Sequence, residues 1–352
     1  MSSSPLTVFV TGASGFLGAH IVYKLLQRGH RVRAAARGAK ADALQATYAA
    51  AGYDSDRFSV VKIADIVGDT FADALVGVDA ILHLASPLPG NAPAEKMIQT
   101  AIDGTLNVVI QGEKAGVRRF VVTSSIASVA NPSNSFTDKD WNPVTHEAAL
   151  AANNNFLTYQ ASKKFAELAL WEWAEKHPHV EVTTLNPTFF YGPLAPHAAR
   201  PAPGDMTGLS TNILLYNLLF KDGNFPARTR YVDVRDVAEG HIRAINSPPT
   251  AEVGRKRIVF SSPTGWSFEE TLAFLAKERP ALASRLIEKT PEPQPFHVLT
   301  LDWDRVEKVL GLKKSDFHTT EATTLDTFDA LVEIEEDWLA KGWELPKSPG
   351  GF

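Results

Sequence analysis

The sequence predicts an α/β fold, a doubly wound parallel sheet with a smaller, partly interleaved C-terminal α/β lobe. Three observations carry this. Over the first 190 residues short β-rich runs alternate with longer helical patterns. A glycine-rich turn, TGASGFLG, joins the first strand to the first helix. Beyond Asn186 the alternation lapses into YGPLAPHAARPAPGDMTG (191–208), dense in Pro, Gly and Ala.

The strands are LTVFVTG (6–12), HRVRAAA (30–36), RFSVVKI (57–63), DAILHLA (79–85), RRFVVTS (118–124) and VEVTTLN (180–186), each a short, β-rich run. Helices are expected between them near 16–28, 41–50, 93–115 and 156–176. In the last of these Phe165, Leu168, Ala169 and Trp173 recur at helical spacing, which gives one stripe to bury. Strand–helix–strand units of this kind cross over right-handed, so the strands lie parallel and helices cover both faces. The 191–208 segment reads as a mobile loop or lid. A helix near 209–221 follows, then a strand and helix in RYVDVRDVAEGHIRAI, a strand in RKRIVFSS, and mostly helix to the end. Residues 1–190 therefore form the first domain, with part of 228–262 returning to it. Residues 191–352 mainly form a substrate lobe.

Composition narrows the function. A hydrophobic content of 44% with 21% charged residues is ordinary for a globular chain. The net charge of −5, without a basic block, gives no electrostatic case for nucleic acid or an anionic membrane. No cysteine is present, which excludes disulfides, thiolate catalysis and cysteine-ligated metals. MSSSPLTVFVTGASG lacks a basic start and its apolar run breaks at Gly12, unlike a signal peptide. No stretch reaches the roughly 18 apolar residues of a membrane span. A soluble, cytoplasmic monomer or homodimer acting on a small molecule is expected, with no membrane or nucleic-acid partner.

Gly12, Gly15 and Gly18 follow a strand and precede a helix. Glycines there tighten the turn and let the backbone approach a pyrophosphate, which sits at the positive helix N-terminus. This is the dinucleotide-binding (Rossmann) arrangement, here spaced G-x-x-G-x-x-G. A site for NAD places an acid about 20 residues on, against the ribose hydroxyls. AAARGAK has none, and Arg37 and Lys40 stand where a 2′-phosphate would lie, which favours NADPH/NADP. Asp65, closing the third strand, could accept from the adenine amine.

VVTSSIASV closes the fifth strand, and strand C-termini in an open parallel sheet face the ligand crevice. Thr123, Ser124 and Ser125 thus point toward a cofactor. Tyr159 and Lys163, four apart, share one face of the next helix. Hydroxyl, phenol and ammonium are what carbonyl reduction by hydride transfer needs. The serine holds the carbonyl oxygen and the tyrosine donates the proton. The lysine lowers the phenol's pKa from about 10 while gripping the nicotinamide ribose.

TGASGFLG, HLAS (83–86), TSS (123–125), YQASK (159–163) and LNPTFFYGP (185–193) together resemble the extended short-chain dehydrogenase/reductases. The nearest branch is the dihydroflavonol-reductase-like one, with its fungal NADPH-dependent aldehyde and ketone reductases; VDVRDVAEGHI (232–242) fits it too. The resemblance implies a catalytic Ser125, with Ser124 as the alternative, and a catalytic Tyr159 and Lys163. It implies cofactor contacts from Gly12, Ser14, Gly15, Phe16, Leu17 and Gly18, from Arg37, and from Asp65, Ile66, Leu84, Ala85 and Pro187. The family's second basic contact falls one residue beyond Lys40. Plant dihydroflavonol reductases carry Asn where Ala130 stands, and FLTYQASK replaces the cinnamoyl-CoA reductase pattern, so neither specialised substrate is expected.

Other residues read as structural. His20, His83 and His146 lack metal-ligand spacing, and no metal is expected. Asp233 is an N-cap with Asp236 at the third helical position. Trp171 and Trp173 pack a helix on the sheet, Asn107 faces a neighbouring element, and Lys164 is a solvated neighbour of Lys163. The expected activity is NADPH-dependent reduction of an aldehyde or ketone. The alternatives are a nucleotide-sugar epimerase or dehydratase, with Arg200, Arg228 and Arg230 toward a diphosphate, and a non-catalytic NADP-binding redox sensor.

Overall fold

The computed structural model describes residues 4–87, 92–131, 135–203, 205–291, 298–299 and 301–347; position 204 of the 191–208 segment lies outside them. The strands are β1 (Thr7–Thr11), β2 (Arg31–Ala36), β3 (Phe58–Lys62), β4 (Ala80–His83), β5 (Arg119–Thr123), β6 (Ser135–Phe136), β7 (Glu181–Pro187), β8 (Phe189–Tyr191), β9 (Tyr231–Asp233), β10 (Lys256–Phe260) and β11 (Val298–Leu299). The helices are α1 (Phe16–Gln27), α2 (Gly38–Ala50), α3 (Ala72–Leu75), α4 (Ala94–Lys114), α5 (His146–Ala151), α6 (Asn155–Lys176), α7 (Asn212–Tyr216), α8 (Val234–Ala244), α9 (Thr250–Val253), α10 (Phe268–Glu278), α11 (Trp303–Leu310) and α12 (Thr320–Ala340). Among the described residues no helix is long and apolar enough to cross a membrane.

Seven strands form one sheet in the order β10-β7-β5-β4-β1-β2-β3, every pairing parallel. The strand alternation of side chains explains its two cores. Val8, Val10, Val32, Ala34, Leu82, Val121 and Leu185 face α1, α2 and α8. Phe9, Ala35, Ile81, Phe120, Val122 and Val182 face the other way, against α4 and α6. Strands are added outward from β1 through β2 to β3 and then from β4 in the opposite direction, so a crevice opens at the carboxyl ends of β1 and β4. A separate core gathers Tyr191, Ile213, Tyr216, Trp266, Phe328, Leu331 and Trp338 in the C-terminal half. There β8 pairs in parallel with β9.

Two elements differ from the sequence expectation. The single helix near 209–221 is broken into a 3-10 turn at Met206–Leu209, α7, and a second 3-10 turn at Asn217–Leu219. Ser210 adopts φ +52°, outside the helical region. The Thr211 hydroxyl bonds Phe190 O, and Asn212 Nδ2 bonds Gly192 O at 2.8 Å, so long-range hydrogen bonds to the end of β8 fix the chain where propensity alone would continue a helix. On α6 the stripe of Phe165, Leu168 and Ala169 is only half-buried. The deeply buried side carries Thr158, Ser162, Lys163 and Glu167 beside Leu170, Trp171 and Trp173. Apolar spacing misplaces the buried face because that face holds the polar groups.

Candidate active site

At the end of β1 the Thr11 hydroxyl accepts the backbone N–H groups of Leu84 (3.1 Å) and Ala85 (3.2 Å), which joins the two strand ends at the crevice. Its own proton is then free for His83 Nδ1 at 2.8 Å, leaving Nε2–H to face Thr105 Oγ1 at 3.4 Å. Burial depresses His83 to about 3, so the ring is neutral and acts as a buried strut. Gly12 sits at φ +68° with the Ala85 backbone nitrogen only 2.9 Å from where a Cβ would lie. At Gly18 a Cβ would lie 2.2 Å from Gly12 O. The loop is thus a cradle that side chains would fill. Gly15 is the N-cap of α1 and offers no side-chain cap, and the first turn has no acid, so its N–H groups remain available to an anion. Ser14 and Gly15 are exposed on this loop, Phe16 is half-buried against Phe190, and Leu17 is buried.

Arg37 is the N-cap of α2, and Lys40 lies in its first turn. A helix N-terminus favours acids, and α2 has none there. Both bases are exposed, and neither forms an ion pair among the described residues. Their placement suits a bound anion. Beyond β3, Asp65 Oδ1 accepts Val67 N at 3.0 Å, and Asn107 Nδ2 from α4 bonds Ile66 O at 2.9 Å. Asn107 is therefore the clamp that sets the Asp65–Ile66 turn, as a helix residue facing a neighbouring element should be.

The chemistry-bearing groups converge beyond β5. Ser125 caps a 3-10 turn, its Oγ accepting Ala127 N at 3.1 Å, and lies close enough to the Tyr159 phenol from α6 to act on its pKa. Lys163 Nζ donates to Thr123 O at 3.2 Å. Asn154 caps α6 by accepting Leu157 N at 2.9 Å, which fixes where the helix starts and hence the height of Tyr159. Ser124, the alternative to Ser125, is spent elsewhere: its Oγ donates to the Glu167 carboxylate at 2.6 Å. Pro187, buried, closes β7 beside these groups.

The electrostatics differ from the sequence expectation in one respect. Tyr159 is half-exposed, yet the protein packed around it raises its phenol above the ordinary value. The group that opposes this rise is the Ser125 hydroxyl, not Lys163. Lys163 itself is brought down to about 8 by burial, with Glu167 acting against the fall. Lys164 is not merely solvated, since its Nζ donates to Val144 O at 2.7 Å and so ties α6 to the preceding loop.

The remaining residues fall into structural roles. Asp233 caps α8 and its Oδ2 pairs with Arg235 at 2.7 Å, while Asp236 meets His318 at 2.6 Å. Trp173 packs edge-on against Phe120, and Trp171 joins the same core. His20 Nε2 lies 3.0 Å from Pro193 O, and His146 meets Glu95 at 3.3 Å. Arg200 pairs with Glu333 at 3.2 Å. One group near the site escaped the sequence reading, Glu167. The signal for Glu167 was an acid exactly one turn past Lys163 on the buried side of a helix.

Comparison with known proteins bears on this geometry. The sequence model of the NAD dependent epimerase/dehydratase family matches residues 8–259. The chain is 30% identical to a ketoreductase of Aspergillus niger, over 91% of this chain and 96% of that protein. It is 29% identical to the NADPH-dependent methylglyoxal reductase of Saccharomyces cerevisiae, over 94% of this chain and 99% of that protein. The crystal structure of the yeast methylglyoxal/isovaleraldehyde reductase complexed with NADPH aligns with a TM-score of 0.79 at 28% identity, covering 94% of this chain and 99% of that one.

Proposed function

The chain belongs to the NAD dependent epimerase/dehydratase family, and we propose that within it the protein is an NADPH-dependent carbonyl reductase turning an aldehyde or ketone into an alcohol. The observation that carries this reading is the meeting of Ser125, Tyr159 and Lys163 beyond β5, next to the glycine cradle. The activities named for the yeast and Aspergillus relatives support it. Gly12, Gly15, Gly18 and the open N-terminus of α1 would hold the pyrophosphate, Arg37 the 2′-phosphate, and Lys163 the ribose. Asp65 and Ile66 would line the adenine, and Leu84, Ala85 and Pro187 the rest of the cleft. Bound NADPH supplies the hydride. Ser125 donates a hydrogen bond to the carbonyl oxygen and holds it beside Tyr159, whose phenol gives up its proton as negative charge develops there.

Residues 1–190 with β10 serve as the nucleotide-binding domain in this reading, and 191–352 mainly shape the substrate side, with 191–208 covering it. The proposal includes a cytoplasmic location, which a cysteine-free chain fits, and a monomer or homodimer acting on a small molecule.

NADPH oxidation against a panel of aldehydes and ketones, with the product alcohols resolved by chirality, tests the reading. Reduction of at least one carbonyl, with NADPH preferred to NADH, is expected; no oxidation with any of them overturns it. Arg37→Ala is expected to weaken NADPH roughly ten- to a hundred-fold, the loss of one or two charge-assisted hydrogen bonds, and to leave NADH nearly unchanged. Fluorescence titration of each nucleotide reads this directly. Equal losses for both would remove the 2′-phosphate contact from Arg37.

A further inference from the structure

Glu167 lies one turn beyond Lys163 on α6 and is 3% exposed. Six groups converge on its carboxylate. Oε2 accepts from Ser124 Oγ (2.6 Å), Ser128 Oγ (2.6 Å) and Asn186 Nδ2 (2.7 Å). Oε1 accepts from Thr184 Oγ1 (3.0 Å), Trp171 Nε1 (3.2 Å) and Arg257 Nε (2.7 Å). A carboxylate offers about four lone-pair sites, so only the ionised form can serve so many donors. Arg257 and the hydroxyls hold the group ionised, below the ordinary carboxylate range, although burial acts the other way. Arg257 is itself fixed: its guanidinium stacks 3.8 Å from the Trp141 ring centre and donates to Asp138 O at 2.8 Å.

Buried ion pairs seldom stabilise a fold more than well-packed apolar residues of the same volume. The position of this one suggests another use. Ser124 precedes Ser125, Asn186 precedes Pro187, and Lys163 is the residue one turn back. We propose that Glu167 is a positioning residue of this active site, its buried carboxylate bracing the three segments that carry Ser125, Lys163 and Pro187 and setting a negative charge against the Lys163 ammonium. This rests on the carbonyl-reductase reading of the same site.

The charges around Lys163 are few. A small cavity beside it is lined by His83 from the end of β4, Thr105 from α4, Thr123 and Ser124 from β5 and its end, and Glu167. His83 is neutral, Tyr159 on the same helix is an un-ionised phenol, and Arg257 stands behind Glu167. Glu167 is thus the anion that opposes the burial of Lys163, whose value stands at about 8. Without that anion it falls further, and the ammonium is lost at lower pH.

Glu167→Gln keeps the shape and removes the charge. The alkaline limbs of kcat/KM and of NADPH affinity, the latter read by fluorescence without turnover, are expected to move down by about one pH unit or more. Glu167→Asp, which keeps the charge, is expected to leave both limbs near their original place. Since Gln leaves Arg257 buried without its counter-ion, Glu167→Gln combined with Arg257→Met removes both charges and is expected to show the same displacement. A folded neutral variant with unmoved limbs overturns the inference. So does failure of both neutral variants to fold, which would assign Glu167 to stability alone. A wild-type protein that reduces no carbonyl overturns the reading beneath the inference, and the inference with it.

Discussion

Tyr159→Phe is expected to lower the turnover of carbonyl reduction by roughly 10²–10⁴-fold while the protein folds and binds NADPH as before. The ring stays packed at the start of α6, and only the phenol oxygen beside Ser125 is removed. Loss of a positioned general acid is worth about that factor. NADPH affinity is expected to hold because the proposed ribose contact is Lys163, whose anchor on Thr123 O does not involve the phenol. Single-turnover measurement separates the two quantities, with nucleotide fluorescence for binding and alcohol formation for chemistry. Near-native turnover in a correctly folded variant would remove Tyr159 from the chemistry and leave its four-residue spacing from Lys163 a coincidence of helix geometry.

Gly18→Ala should be the most damaging small substitution in the nucleotide cradle. The added methyl would sit 2.2 Å from Gly12 O and 2.8 Å from Ala13 Cα, both backbone or backbone-bound atoms that cannot rotate aside. The loop must move, and a misplacement near 1 Å at a positioning element costs about a hundredfold in rate. A loss of about that size in turnover is expected together with weaker NADPH binding, with circular dichroism unchanged. Gly29→Ala, whose Cβ meets nothing within 4 Å, is the comparison, since only its φ of +82° resists the change. Equal NADPH affinity in the two variants would show that the cradle tolerates a side chain at position 18.

The sheet was legible because its physics is local. Runs such as VFV and ILH alternate faces, and the turn residues between them mark the crossovers, so six strands and their helices fall close to where the sequence put them. The glycine loop was legible for the same reason. The buried side of α6 was not: hydrophobic periodicity assumes that what is buried is apolar, whereas Lys163 and Glu167 are buried by partners from β5, β7 and β10. The break at Ser210 escaped similarly, since Thr211 and Asn212 are fixed by bonds to residues about twenty positions earlier. Lys164 looked solvated because Val144 O, its partner, lies in a loop without pattern.

The last strand of the sheet has a consequence for how the chain is made. β10 reaches its place beside β7 only after the excursion through 191–255, and it brings Arg257, the counter-ion of Glu167. A nascent chain that has emerged as far as residue 190 therefore holds six of the main sheet's seven strands, an open sheet edge at β7, and a carboxylate that must stay wet or take up a proton. Vectorial synthesis cannot complete this half first and add the other later. The two halves mature together, and the exposed β7 edge is the stage most open to aggregation. A chain truncated at 190 is expected to be insoluble or molten, with one ending beyond β10 more soluble. A well-ordered 1–190 fragment by NMR would show that the seventh strand is dispensable.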